Sequence, residues 1–459
     1  MKKTNKDITR RDFLKVAGAG AVVSVAALAG CRPAGTISAQ GGEAGDIPTD
    51  QMTYRTNPHS GDRVSLLGYG CMRWPLRRNE AGEQEIDQET VNDLVDYALA
   101  HGVNYFDTAP VYVRGWSEAA TGNALSRHPR DSYFVATKAS NPRGPFDLEG
   151  CKAMYRQSMD FLKVDYLDYY LLHNVGSSIE SFHERFVENG FLDFLIAEKA
   201  AGRIRNLGWS FHGNPEVFDY VLAFRDIQWD FCQIQLNYQD WQYPIGASVA
   251  AKYLYDELVK KNVPVVIMEP LLGGRLARVP AGAQALMRGL HPQDTPAKWA
   301  FRYAGTPESV LTVLSGMVYM EHLQENLRTF APMEPMNEAE YAILDDVSDI
   351  LANADYIQCT TCEYCMPCPY GLDIPQVFAH YNKCVGEGQV LHSSGDEGYR
   401  AARRAFLVGY DRSVPKLRQA NRCIQCEQCL PKCPQGIKIP TEMERVDAYA
   451  EKLRQKLQF

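Results

Sequence analysis

Eight of the thirteen cysteines in this 459-residue chain lie in two tight groups near its C-terminus, and no other feature restricts the fold as much. The first group is Cys359, Cys362, Cys365 and Cys368, followed by Pro369; the second is Cys423, Cys426, Cys429 and Cys433, followed by Pro434. Thiolates two residues apart can turn around one face of a cubic 4Fe-4S cluster, so this segment is either built round metal or serves one-electron chemistry. Disulfides impose no such proline-capped spacing, and zinc suits paired Cys-x2-Cys steps rather than three in a row. A glycine loop and Ile-Pro follow each Cys-Pro, in Pro369-Tyr-Gly-Leu-Asp-Ile-Pro375 and Pro434-Gln-Gly-Ile-Lys-Ile-Pro440, which marks a duplicated unit.

The second group, with C-x2-C-x2-C-x3-C-P spacing, resembles the ligand run of bacterial two-cluster ferredoxins, and the first differs from it by one residue. The resemblance implies two 4Fe-4S clusters with crossed ligands: Cys359, Cys362 and Cys365 with Cys433, and Cys423, Cys426 and Cys429 with Cys368. The 54-residue spacer 369–422 predicts helices around Gln376–Cys384 and Glu397–Val408. Residues 359–459 are thus expected to form a mainly α-helical, ferredoxin-like iron–sulfur domain.

At the other end, Thr9-Arg10-Arg11-Asp12-Phe13-Leu14-Lys15 resembles the twin-arginine export consensus. The Gly/Ala-rich apolar stretch Val16–Gly30 is 15 residues long, short for a membrane span. It ends in Leu28-Ala29-Gly30-Cys31, which resembles a lipoprotein cleavage box. Residues 1–31 are therefore expected to direct export by the twin-arginine route, leaving Cys31 lipidated and the protein anchored on the extracytoplasmic face of the membrane. Residues 32–51 are expected to be a flexible tether. Twin-arginine export carries folded proteins, which suits a chain whose clusters are inserted in the cytoplasm. No later stretch reaches 18 apolar residues.

Between the ends, a hydrophobic content of 45% supports a large core, and a net charge of −8 with mixed signs gives no reason to expect nucleic acid. Cys71, Cys151, Cys232 and Cys384 are scattered and expected to be buried thiols. Apolar runs predict strands at Ser65–Gly70, Val103–Asp107, Tyr133–Lys138, Tyr166–His173, Ile204–Ser210, Phe231–Leu236, Val263–Glu269 and Val310–Ser315. Amphipathic stretches alternate with them, among them Glu89–Ala100, Ser117–Ser126, Leu148–Leu162, Phe191–Ala201, Pro215–Phe224, Ser248–Lys261 and Met320–Thr329. This alternation predicts an α/β fold, a (β/α)8 barrel, over an open doubly wound sheet, because no G-x-G-x-x-G follows an early strand. Asp107, Lys138, His173, Ser210 and Glu269 end successive or neighbouring strands, on the rim where barrel active sites lie.

Those residues carry a further resemblance. Asn104-Tyr-Phe-Asp107-Thr-Ala-Pro-Val-Tyr112, Gly115-Trp-Ser117-Glu118, Phe134-Val-Ala-Thr137-Lys138 and Tyr170-Leu-Leu-His173 resemble the aldo/keto reductase family over roughly residues 52–330. Gly202-Arg-Ile-Arg-Asn-Leu-Gly-Trp-Ser-Phe-His212, Met268-Glu-Pro-Leu-Leu-Gly-Gly-Arg275 and Leu314-Ser-Gly-Met317 resemble its subgroup with a C-terminal ferredoxin-type domain. The resemblance implies an oxidoreductase acting on a small-molecule carbonyl or alcohol, with a catalytic tetrad of Asp107, Tyr112, Lys138 and His173. Tyr112 would protonate the developing oxyanion, Lys138 would lower its pKa, Asp107 would hold Lys138, and His173 would orient the carbonyl oxygen. It also implies that Ser210, Gln233, Asn237, Pro270, Leu271, Gly274, Ser315, Gly316, Glu325 and Asn326 line a groove for NAD(P). Two departures stand against that groove: Met268 replaces an aromatic that would stack on nicotinamide, and Phe211 replaces an asparagine. Segment 315–320 also lacks a Lys or Arg to grip a 2′-phosphate, although Arg275 could reach from another loop.

Hydride transfer moves two electrons together and a cluster moves one, so three readings stand: a nicotinamide-using oxidoreductase whose clusters stabilise the tail or transfer electrons, a reductase fed by its clusters without nicotinamide, and an electron-transfer subunit with the barrel as scaffold. A membrane-bound or soluble electron donor is the implied partner. Residues 331–358 are expected to be a linker helix opened by an Asn337 cap, amphipathic to Ala354 and packing the tail on the barrel. Glu442–Leu457 is also helix-like. Trp74, Trp116, Trp209 and Trp241 are candidate pocket walls.

Overall fold

Eight apolar runs become eight parallel strands: β1 (Leu67–Gly70), β2 (Tyr105–Asp107), β3 (Phe134–Ala139), β4 (Leu167–Val175), β5 (Ile204–Phe211), β6 (Phe231–Gln235), β7 (Val265–Met268) and β8 (Val310–Ser315). Each pairs with the next and β8 pairs with β1, closing a barrel. All eight expected strands are present, with ends moved by a residue or two. The computed structural model describes residues 47–455 apart from 142–143, 177, 245–249 and 392. The expected export signal, Cys31 and most of the tether lie outside the described residues.

Barrel strands are buried on both faces, which is why they read as continuous apolar runs. Inside, Tyr105, Tyr169, Phe231, Val266 and Leu311 fill the lower half. The Tyr169 ring meets Tyr105 at 5.1 Å and Phe231 at 5.0 Å, both edge-on. This plug of rings confines solvent-reachable chemistry to the opposite, C-terminal end. Two short antiparallel ribbons, Tyr54–Thr56 with Arg63–Ser65 and Leu76–Arg78 with Gln84–Ile86, were not anticipated, nor were helices Ala281–Leu290 and Pro296–Gly305. Three-residue strands are too short for alternation to register in sequence. Cys71, Cys151, Cys232 and Cys384 are buried thiols, as expected. Among the described residues no helix is long and apolar enough to cross a membrane.

The linker helix, Glu338–Ala352, starts where Asn337 predicts: the Asn337 side chain accepts from the Ala339 and Glu340 amides, and Glu340 reaches back to the Asn337 amide. It packs on Ala281–Leu290 and Tyr238–Gln242 of the barrel. Beyond it, helices Ile374–Gly386, Tyr399–Ser413 and Ile439–Gln455 enclose a second core of Phe378, Tyr381, Phe406, Tyr410, Met443 and Val446. The first two cover the helices expected in the spacer.

A buried ion pair pins the linker to the barrel. Arg302 donates to Glu340 at 2.5 and 3.0 Å and to the Glu334 carbonyl at 2.9 Å. Burial alone would push Glu340 up, but bonds from Arg302, the Asn337 amide and His291 hold it below the usual carboxylate range. Arg302→Ala strands a buried carboxylate and is expected to lower stability by about 3–5 kcal/mol at neutral pH, measured by guanidinium unfolding. A carboxylate with a depressed folded pKa stabilises above its unfolded value near ~4.3 and loses that contribution as pH falls through the folded value, so the gap between wild type and Arg302→Ala closes in acid.

Candidate active site and cysteine loops

Asp107 ends β2, and Lys138 lies one residue from the end of β3. Lys138 Nζ is 2.5 Å from Asp107 Oδ1 and also donates to the Thr108 carbonyl at 2.8 Å. Both side chains are buried. Burial pushes Asp107 up and Lys138 down, and each charge opposes the other's shift. Asp107 Oδ2 takes a second bond from Gln233 at 3.3 Å.

Tyr112 opens a tight turn in which Val113 and Arg114 have φ of 48° and 59°. A β-branched residue adopts such backbone only where its surroundings enforce it. The turn brings the Tyr112 ring centroid within 4.8 Å of Lys138 Nζ, and sets it edge-to-face with His173 at 5.9 Å. The four expected tetrad residues thus converge. Tyr112 is held well above the usual phenol range, by burial first and then by Tyr364 and Asp107. Tyr112 is therefore a protonated donor at ordinary pH.

His173 is neutral: burial first, then the charges of Lys138 and Arg185, push it well below its ordinary value. Its Nδ1 meets the Ser140 hydroxyl, and Arg185 Nη2 donates to its carbonyl at 2.6 Å. A hydroxyl can donate or accept, so Ser140 serves either imidazole tautomer. Ser140 was missed in sequence, since a lone serine beyond a strand end carries no signal.

The two cysteine groups interleave. Cys359, Cys362 and Cys365 share a cavity with Cys433, walled by Pro375, Phe378 and Ile437. Cys423, Cys426 and Cys429 share another with Cys368, walled by Leu372, Ile374 and Met443. The two cavities are lined by the residues that the ferredoxin resemblance pairs, with Cys365 on both. Backbone geometry repeats too: Thr361 and Glu363 have φ of 54° and 65°, and Gln425 and Glu427, at matching positions, 57° and 61°. Among the described residues no three His, Cys, Asp or Glu side chains converge on one metal-ion position. Each set surrounds a wider space instead. Burial raises Cys359 to about 11 and Cys362 to about 12, and nearby thiolates add to the rise. Crowded thiolates need metal charge to offset them. The donors, cavities and apolar walls fit iron–sulfur clusters.

The first set is seated on the barrel mouth. Arg73 Nη2 donates to the Thr360 carbonyl at 2.9 Å and to Thr361 Oγ1 at 3.2 Å. Arg275 donates to Gln358, and Gln435 to Gln235 at 3.0 Å. Gly273 has φ of 65°, and a Cβ there would lie 2.5 Å from Thr360 Cα, so only glycine admits this contact. The Tyr364 hydroxyl reaches 3.2 Å from His173 Nε2. Tyr364 was missed in sequence because, between Cys362 and Cys365, it reads only as filler in a ligand loop.

The ten residues implied for NAD(P) do not form an open groove. Ser210 accepts from the Asn174 amide at 2.8 Å, Gln233 bonds Asp107, Asn237 donates to Asp240 at 2.6 Å, Asn326 donates to Ser315 at 2.9 Å, and Glu325 accepts from Thr295. Pro270, Leu271 and Gly274 belong to the rim loop that meets Thr360. Gly316 lies beside Arg73, whose Cδ is 3.5 Å from where a Gly316 Cβ would stand. Arg73 and Thr360 together bridge Gly316 to Gly273. Glu269 accepts from the Gly273 amide at 2.6 Å and steadies the same rim loop. Phe211 packs into the core on Trp209 and Phe218. Of the candidate pocket walls, Trp74 and Trp209 are buried and Trp241 packs on Tyr255 and Tyr303, so these three serve packing; Trp116 is exposed beside the Tyr112 turn.

Residues 66–349 match the aldo/keto reductase family and residues 358–437 the 4Fe-4S dicluster domain. An uncharacterized oxidoreductase of Bacillus subtilis, YqkF, is 25% identical over 303 residues, 58% of this chain and 87% of that protein. L-galactose dehydrogenase of Arabidopsis thaliana is 26% identical over 332 residues, 66% of this chain and 95% of that protein. Other relatives are matched over about half their own length. A solved aldo-keto reductase from Klebsiella pneumoniae in complex with NADPH shares the fold, with TM-score 0.50, 20% identity, and coverage of 65% of this chain and 96% of that one. The chain belongs to the aldo/keto reductase family and carries a 4Fe-4S dicluster domain.

The crossed sets make a discriminating prediction. Serine at both Cys359 and Cys433 removes two ligands of one set, so the double variant is expected to retain about half the wild-type iron by metal analysis. Sequential sets would lose both clusters.

Proposed function

We propose that this member of the aldo/keto reductase family is an exported oxidoreductase that interconverts a carbonyl and an alcohol at Asp107, Tyr112, Lys138 and His173, and exchanges electrons through its tail. The observation that carries the reading is the seating of the first cysteine set on the barrel mouth, with Tyr364 at hydrogen-bond distance from His173. A tail that served stability alone would need no place beside the tetrad. The clusters number two, held by Cys359, Cys362, Cys365 and Cys433, and by Cys423, Cys426, Cys429 and Cys368. When bound, they supply single electrons.

Reduction of a carbonyl to an alcohol takes two electrons, supplied by the external donor, and two protons, one given to oxygen by Tyr112 and one taken up at carbon from solvent water. Tyr112 gives the proton to oxygen; its raised pKa keeps it loaded across ordinary pH. His173 holds the oxygen in line through Nε2, with Ser140 and Arg185 fixing the imidazole. Lys138, neutralised in part by Asp107, sets a positive field near the developing alkoxide. Substrate is a small molecule that enters from the rim near Trp116.

The twin-arginine motif and Cys31 support export and a lipid anchor, and thus a membrane-bound or soluble donor outside the cytoplasm. There, electrons from such a donor replace a freely diffusing dinucleotide. A nicotinamide-fed reading keeps one support, the strand-end placement of Ser210 and Gln233 around the tetrad, and requires the tail to move from the rim.

Tyr112→Phe is expected to lower carbonyl reduction by about 10²–10⁴-fold while iron content and cluster absorbance stay at wild-type levels. The assay is anaerobic turnover of a panel of small ketones and aldehydes, with a chemically reduced viologen as donor. Full turnover in Tyr112→Phe would remove Tyr112 from the reaction, whereas no turnover by either form with undiminished electron delivery to a partner would leave the chain an electron carrier.

A further inference from the structure

The proposed reaction places a substrate oxygen between the Tyr112 hydroxyl and His173 Nε2. That seat already has an occupant. The Tyr364 hydroxyl lies 3.2 Å from His173 Nε2, its ring standing edge-on to the imidazole at 6.2 Å. It also lies close enough to Tyr112 for the two phenols to perturb each other's titration. Tyr112, Tyr364 and His173 thus form one chain of contacts that continues through Nδ1 to Ser140. Tyr364 comes from the tail, whereas the other three come from the barrel. It is delivered by a loop fixed at both sides of the mouth, by Arg73 on Thr360 and Thr361 and by Gly273 against Thr360.

We propose that Tyr364 is a specificity-determining residue of the barrel's site, whose hydroxyl holds the substrate-oxygen seat at rest and gives way to an incoming carbonyl or alcohol oxygen. This rests on the reading that the tetrad binds a carbonyl or alcohol. The substrate pocket is then composite, with barrel residues supplying the two donors and the cysteine loop supplying the wall that faces them. A ligand must replace the phenol's contacts with His173 and Tyr112, so molecules with an accepting oxygen are admitted and purely apolar ones are not. The ring, left beside the bound oxygen, also limits the size of the group attached to it.

Acetate is a suitable probe, since its oxygen can accept from both Tyr112 and His173 and it is not turned over. Calorimetric titration uses the full, cluster-loaded chain as wild type, Tyr364→Phe, and the double variant Tyr112→Phe with Tyr364→Phe. Tyr364→Phe, with iron content verified, is expected to bind acetate at least ~10-fold more tightly than wild type, as nothing has to be displaced. The double variant is expected to lose that gain. Equal or weaker binding by Tyr364→Phe, or none, would overturn the proposal. Should that variant lose its iron, 3-fluorotyrosine at position 364 gives the decision by fluorine NMR. Its resonance must move as acetate saturates the chain, and an unmoved resonance with acetate bound contradicts the proposal. Because acetate is not reduced, the outcome is independent of the Tyr112→Phe turnover result: either can fail while the other stands.

Discussion

One contact organises this molecule: the backbone of Thr360 laid against Gly273 at the barrel mouth. Gly273 adopts φ of 65° and leaves no room for a side chain, so the tail approaches as closely as two backbones can. Arg73 draws the same segment from the other side of the mouth, at 2.9 Å. From that fixed point, Cys359, Cys362 and Cys365 wrap one cavity and Tyr364 is carried down to His173. The cysteine spacing that dominates the sequence and the tetrad that ends the strands are therefore one construction, joined through a five-residue loop, 360–364.

The electrostatics of the site follow from that closure. Covered by the tail, Asp107, Lys138, Tyr112 and His173 are all driven toward their neutral forms. Burial is the first cause of the rise at Tyr112, and Tyr364 and Asp107 add to it. The result is an acid that keeps its proton and an imidazole free to donate or accept, which suits delivery of a proton to a substrate oxygen. The same closure brings Thr360 against Gly273 of the rim loop and, through Arg73, bridges Gly316 to Gly273.

Much of this was legible in the residues. All eight strands could be read because strands buried on both faces are uninterrupted apolar runs, and the strand-end position of Asp107, Lys138 and His173 located the site. Asn337 marked its helix through a side chain that caps only one way round. The crossed cysteine sets were what the resemblance to two-cluster ferredoxins implied. What escaped was everything decided by the meeting of distant segments. Tyr364 carries no sequence signal, because only the packing of two domains sets it on His173. The two ribbons were missed because their strands are three residues long.

The central claim is that the seated tail takes the place of a nicotinamide donor. Its most direct test is a tryptophan-fluorescence titration of the anaerobic, cluster-loaded chain with NADH and with NADPH. The account predicts no binding of either into the millimolar range, because Arg73 and Thr360 bridge Gly316 to Gly273. Binding at micromolar strength, about −8 kcal/mol, would contradict it and return the barrel to hydride chemistry.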